Sequence, residues 1–149
     1  MLTDGDVAVK LAVYRHFAET GRRPTPAEVA ACAGATAGDV VEAYQRLRSR
    51  KVLVLEEEDG ASIRMAPPFS GITTQHEVLA GGITYHANCA WDALGIPAAL
   101  HAKASVRSRC EQSREPLRLE VGLEGPERSD WLFHCAVPAF RWWDDIVFT

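Results

Sequence analysis

The stretch up to Arg50 is punctuated more strictly than the rest of the chain, and that punctuation limits the fold most. Val7, Leu11, Tyr14 and Ala18 recur at helical spacing, Phe17 widens the apolar stripe, and Gly21 stops the pattern ahead of Arg22-Arg23-Pro24. Thr25-Pro26-Ala27-Glu28 then supplies a capping residue, a proline at the first helical position and a glutamate placed to return the cap. Val29, Cys32 and Ala33 give this second helix its apolar face, with Cys32 read as a small core residue, and Gly34 ends it. Thr36 to Asp39 repeats the start signal, and Val40, Val41, Tyr44 and Leu47 carry an apolar face up to Arg50. Val52-Leu53-Val54-Leu55, a polar turn from Glu56 to Gly60, and Ala61 to Met65 predict a hairpin after these helices, which is the winged-helix order.

Adjacent prolines in Ala66-Pro67-Pro68-Phe69-Ser70-Gly71 remove backbone donors and restrict their neighbours, so neither a helix nor a strand is expected to continue through them. A domain border is placed here, giving a winged-helix-like segment over 1–66 and a small mixed or antiparallel β domain with short helices over 67–149. In that second part His76 to Leu79 and Ile83 to His86 read as strands around Gly81-Gly82. Asn88 is positioned to cap a brief helix through Cys89, Trp91, Asp92 and Leu94, which Gly95 and Pro97 are expected to interrupt. Ala104-Ser105-Val106 and Leu117 to Val121 flank a polar loop holding Cys110 and Pro116, as in a hairpin, and Trp131 to Val137 reads as a third strand. The fold class is therefore α+β.

Composition narrows the function. Hydrophobic residues make up 47% and charged residues 24% of 149, which predicts an ordinary folded protein with no need of disulfides. Sixteen basic and 20 acidic side chains leave a net charge of −4, so there is no global field to attract nucleic acid or an anionic membrane. The opening MLTDGDVAVK lacks the basic-then-apolar layout of a secretory signal and no apolar run is long enough to span a bilayer, which predicts a cytoplasmic protein without membrane partners. Cys32, Cys89, Cys110 and Cys135 form no CxxC pair and are expected to be thiols. His76, His86, His101 and His134 show no HxxxH or HxH spacing, which disfavours zinc.

A winged helix suggests a DNA reader, since its third helix enters the major groove. Here the first turns of that helix offer Asp39 and Glu42, and the wing tip carries Glu56, Glu57, Glu58 and Asp59, all of which would repel phosphates. Arg22, Arg23, Arg46, Arg48, Arg50 and Lys51 are the cations left to oppose them. A module used for packing is the better reading.

Chemistry concentrates around Cys89 and Asp92, which sit three apart on a predicted helix and therefore on one face. A cysteine in the first turn of a helix has its thiolate stabilised by unpaired backbone donors. An apolar wall from Trp91 and Leu94 would favour the neutral form of the acid. Such a pair suits binding a soft metal and then delivering a proton, while a buried core thiol beside a capping carboxylate has the same spacing.

The segment from Tyr85 to Val121 resembles the organomercurial (alkylmercury) lyase family. The likeness is carried by Cys89-Ala90-Trp91-Asp92-Ala93-Leu94, Pro97-Ala98-Ala99-Leu100, Val106-Arg107-Ser108-Arg109-Cys110 and the strand from Leu117 to Val121. The three helices and wing are also similar to that family's. The resemblance implies protonolysis of a carbon–mercury bond without a cofactor, mercury being substrate and product. It casts Cys89 as the thiol that binds mercury and Asp92 as the acid that transfers the proton. The family's second catalytic cysteine falls in the region of, or just beyond, Phe148 and Thr149, where this sequence has threonine. Cys110 matches a cysteine that is more structural than chemical in the family, and is kept with Cys89 and Asp92 as a possible metal ligand. Cys135 lies in the predicted apolar strand, where a small buried residue is the default. Trp142 and Trp143, next to Asp144-Asp145, could join Trp91 in lining an organic-substrate pocket, although core filler and a solvated turn explain them as well. The expected partner is a small organomercurial or other organic ligand. Two further readings remain: a divergent member that binds a soft metal or organic ligand without cleaving it, and a winged-helix regulator.

Overall fold

The computed structural model describes residues 2–147, and the chain divides into two compact units, 1–73 and 74–149. The first begins with α1 (Asp4–Thr20), α2 (Pro26–Ala33) and α3 (Ala37–Ser49). Each starts on a threonine whose hydroxyl accepts from the third helical N–H while that residue's carboxylate accepts from the threonine N–H: Thr3 with Asp6, Thr25 with Glu28, Thr36 with Asp39. Gly21 and Gly34 close α1 and α2 in the left-handed conformation that glycine adopts without strain.

The sequence placed the second and third of these helix starts but assigned α1 the wrong buried face. Val7 and Leu11 are 42% and 56% exposed, and the buried row is Asp6, Val9, Val13 and Phe17. A carboxylate can lead that row because the Thr3 N–H and the Arg46 guanidinium, at 2.9 and 2.8 Å, satisfy it. Cys32 is likewise exposed, and α2 turns Val29 and Ala30 inward instead.

Strands β1 (Val54–Leu55), β2 (Ile63–Ala66) and β3 (Phe69–Ser70) follow as an antiparallel run. The proline pair reverses the chain tightly, so that Ala66 pairs with Phe69 and Met65 with Ser70. The stretch read as a break in structure is thus a turn inside the first unit, whose last residue is Thr73. Phe69 stacks on Phe17 with ring centroids 5.4 Å apart. Just beyond, the Gly71 N–H donates to the Arg64 carbonyl at 2.7 Å, and a Cβ on Gly71 would lie 2.0 Å from the Ile63 carbonyl oxygen, so no side chain fits there.

The second unit contains β4 (His76–Ala80), β5 (Ile83–Ala87), α4 (Ala90–Leu100), β6 (Ala104–Arg109), β7 (Pro116–Gly122) and β8 (Gly125–Pro126), then a 3₁₀ helix over Ala139–Asp144. Its strands are antiparallel in the order β5-β4-β6-β7-β8, and α4 packs on β4, β5 and β6. Helices with antiparallel strands make the fold α+β, as predicted. Gly95 and Pro97 do not interrupt α4: burial of Ala93, Ile96 and Pro97 outweighs their poor helix propensity, and the helix ends at His101 in the left-handed conformation. The predicted strand from Trp131 to Val137 does not form. Its run of apolar residues suggests a buried strand, yet Leu132 is 92% exposed and β8 already pairs with β7 on the side away from β6.

Candidate active site

Cys89 is the residue at which β5 becomes α4, and its position follows from the sheet. The Ala87 carbonyl, two residues earlier, accepts from the Thr74 hydroxyl at 2.5 Å, and Ala87 pairs with His76. Cys89, not Asn88, is the N-cap, with extended backbone angles. As a neutral thiol it makes no capping hydrogen bond. The Asp92 and Trp91 N–H groups do favour its thiolate, but burial acts more strongly and pushes the thiol above its ordinary value. The activated resting thiolate expected from a helix start is therefore not what the fold provides, because the sulfur is half-buried.

Asp92 occupies the third position of α4, facing the same side as Cys89. Burial raises its pKa, as the sequence anticipated, and the Asn88 side-chain amide opposes that rise by donating to Oδ2 at 3.0 Å. Asn88 was read only as a cap. Its spacing of four from Asp92, at which an amide reaches a carboxylate across one helical turn, was the signal for its actual role.

Trp91 is 56% exposed and carries the contacts that define the outer wall. The Phe133 ring lies 5.9 Å from it and the Trp142 ring 6.1 Å, the latter edge-on. Trp142 also donates through Nε1 to the Val137 carbonyl at 3.0 Å. Phe133 was not expected at the site, since it was assigned to a strand. Trp143 is half-buried in the same 3₁₀ helix.

The structure thus gathers Cys89, Trp91, Asp92 and Trp142, and leaves Cys110 apart. Cys110 follows β6, separated from β5 by β4, hence by about 10 Å at the usual strand spacing. Hydrogen bonds from the Ser113 hydroxyl and backbone, and from the Gln112 N–H, hold its thiol below the ordinary value. Among the described residues no three His, Cys, Asp or Glu side chains converge well enough to hold a metal ion, so Cys89, Asp92 and Cys110 are not a three-ligand cluster. Cys135, expected in a buried strand, is exposed, and its thiol donates to the Val137 carbonyl at 2.9 Å. The position at or beyond Phe148 and Thr149, where the resemblance sets a second cysteine, lies outside the described residues.

The family model for MerB, alkylmercury lyase, matches residues 69–149, more than half of the chain and the whole of this site. The chain belongs to the alkylmercury lyase family. Among solved structures it is similar to the mercury-bound form of MerB2, with a TM-score of 0.68 at 24% identity, a likeness of fold that covers 87% of this chain and 61% of that one. No curated protein sequence matches it significantly.

Proposed function

We propose that the protein is an organomercurial lyase in which Cys89 binds mercury and Asp92 protonates the departing carbon. The observation that carries this reading is a carboxyl held toward its neutral form in the same helical turn as a half-buried cysteine, in a chain of the alkylmercury lyase family. Mercury displaces the Cys89 proton, forming a sulfur–mercury bond, a substitution that a soft ion drives even against a raised thiol pKa. The Asp92 proton then passes to carbon, and the electron pair of the carbon–mercury bond becomes the new carbon–hydrogen bond. Hydrocarbon leaves, mercury stays on sulfur, and Asn88 stabilises the carboxylate that remains. No cofactor enters; mercury is substrate and product. Trp91 and Trp142, with Trp143 in the adjoining turn, line the side on which the organic group rests. Cys110 takes no part.

The first unit is proposed as a winged-helix-like packing module. Three of the six cations that could meet a phosphate backbone are engaged within it: Arg22 with Glu28 and Arg23 with Glu56, both at 3.3 Å, and Arg46 with Asp6 at 2.8 Å. Among the described residues no helix is long and apolar enough to cross a membrane. All four cysteines are free, in keeping with a reducing, cytoplasmic setting.

Incubation with methylmercury or phenylmercury and excess thiol, with methane or benzene as the readout, tests the enzyme. Release above that of a Cys89→Ser control supports it. Hydrocarbon at the control level rejects it, and mercury retained under those conditions marks a binder.

A further inference from the structure

Helix α1 carries apolar residues on two sides and buries only one of them. Asp6, Val9, Val13 and Phe17 face the core of the first unit, while Val7 and Leu11 stand on the far side, 42% and 56% exposed. With successive residues turned by about 100°, Asp4, Ala8, Leu11 and Arg15 fall within about 60° of one another, directly opposite Val13. All four are exposed. Their spacing of four, three and four is that of the a and d positions along a seam between two helices, and Val7 flanks the row with a second large apolar side chain.

The charges at the two ends of this row decide what can cover it. Asp4 and Arg15 have opposite signs and lie about 16 Å apart along the axis. Among the described residues neither forms an ion pair within the chain, whereas the inward Asp6 takes Arg46. A second α1 laid antiparallel, with a two-fold axis between Ala8 and Leu11, sets Asp4 against the partner's Arg15 and Arg15 against the partner's Asp4. Leu11 then lies over the partner's Ala8, whose small side chain lets the axes approach to about 8–10 Å. A parallel pair would instead face aspartate with aspartate and arginine with arginine. The row is therefore complementary to itself in one orientation, as a two-fold contact requires.

We infer that the outer face of α1 is a self-association surface, through which two copies of this chain pair antiparallel about the axis between Ala8 and Leu11. Two helices of 17 residues in contact bury less than about 1,200 Å², the range of transient complexes, so the dimer is weak and exchanges rapidly. The inference does not depend on the chemistry proposed for Cys89 and Asp92.

The test is sedimentation velocity of the full 149-residue chain from about 10 μM to about 1 mM, which spans the affinities of a weak pair. Wild type is expected to move from monomer toward dimer over that range. Leu11→Glu should weaken association by roughly tenfold or more. Arg15→Asp, which opposes like charges at both ends, should weaken it in the same direction, and adding Asp4→Lys to Arg15→Asp should restore it. That rescue is a coupling between two chains, which a structural role for either residue would not produce. A wild type that stays monomeric throughout overturns the inference, as does association that Leu11→Glu and Arg15→Asp leave unchanged. Association lost in Leu132→Ser but kept in Leu11→Glu also overturns it, and moves the contact to the second unit, where Leu132 is 92% exposed. Leu11 lies outside the core, so Leu11→Glu is expected to melt as wild type does at the lowest concentration. The charge reversal and its rescue decide the matter if it does not.

Discussion

Among the described residues four α-helices each carry an acid at the third helical position, but α1, α2 and α3 set a threonine before it and α4 sets a cysteine. In the first three the oxygen and the acid satisfy each other's backbone donors, and Asp6, Glu28 and Asp39 are all held below their ordinary values, chiefly by hydrogen bonds from the capping threonine. In α4 the sulfur makes no capping bond, and Asp92 is pushed the other way by burial. The same sequence device therefore does opposite work in the two units. With oxygen in front, the acid is an anion that stabilises a helix start; with sulfur in front, it is held toward its neutral form.

The contrast is broken most sharply by removing the acid's proton. Asp92→Asn should still retain mercury but lower hydrocarbon release by about 10²–10⁴-fold, the usual worth of a positioned acid; a loss in single-turnover assays smaller than tenfold would place the proton elsewhere. Next in size, Thr25→Ala should destabilise the chain by about 1 kcal/mol, read from denaturant midpoints at constant slope, because a true cap is lost. Cys89→Ser should go the other way. Serine completes the box that cysteine leaves open, for a gain of about 0.5–1 kcal/mol alongside the loss of activity.

The smallest effect is one of pH. Carboxyls with lowered values, such as Asp6, lend stability above their ordinary value of 3.8 that is lost as pH falls through the folded value. Asp92, raised above 3.8, does the reverse: its contribution is full in acid and is lost as pH rises through the folded value. Asp92→Asn should therefore match wild type in stability in acid and exceed it progressively toward neutrality. A pH-independent difference would show that burial does not raise the Asp92 carboxyl.

Much of this was legible before any coordinates. Thr25-Pro26-Ala27-Glu28, Thr36 to Asp39 and Gly81-Gly82 act through local backbone chemistry, and local chemistry is what a sequence displays. The face of α1 was not legible, because burying Asp6 depends on Arg46 from another helix. Pro97 inside α4 was read as an interruption because propensity is local while the packing that overrides it is not. The site divided along the same line. Cys89 and Asp92 were singled out by spacing within one turn together with the family resemblance, whereas Phe133 reaches Trp91 only through a segment whose apolar content resembled a strand.

The bond from the Thr74 hydroxyl to the Ala87 carbonyl anchors the backbone just upstream of Cys89 to the segment that leads into β4. A guest that reaches that sulfur would meet backbone already fixed from behind. What give there is lies in outward side chains such as Trp91, more than half of which is exposed.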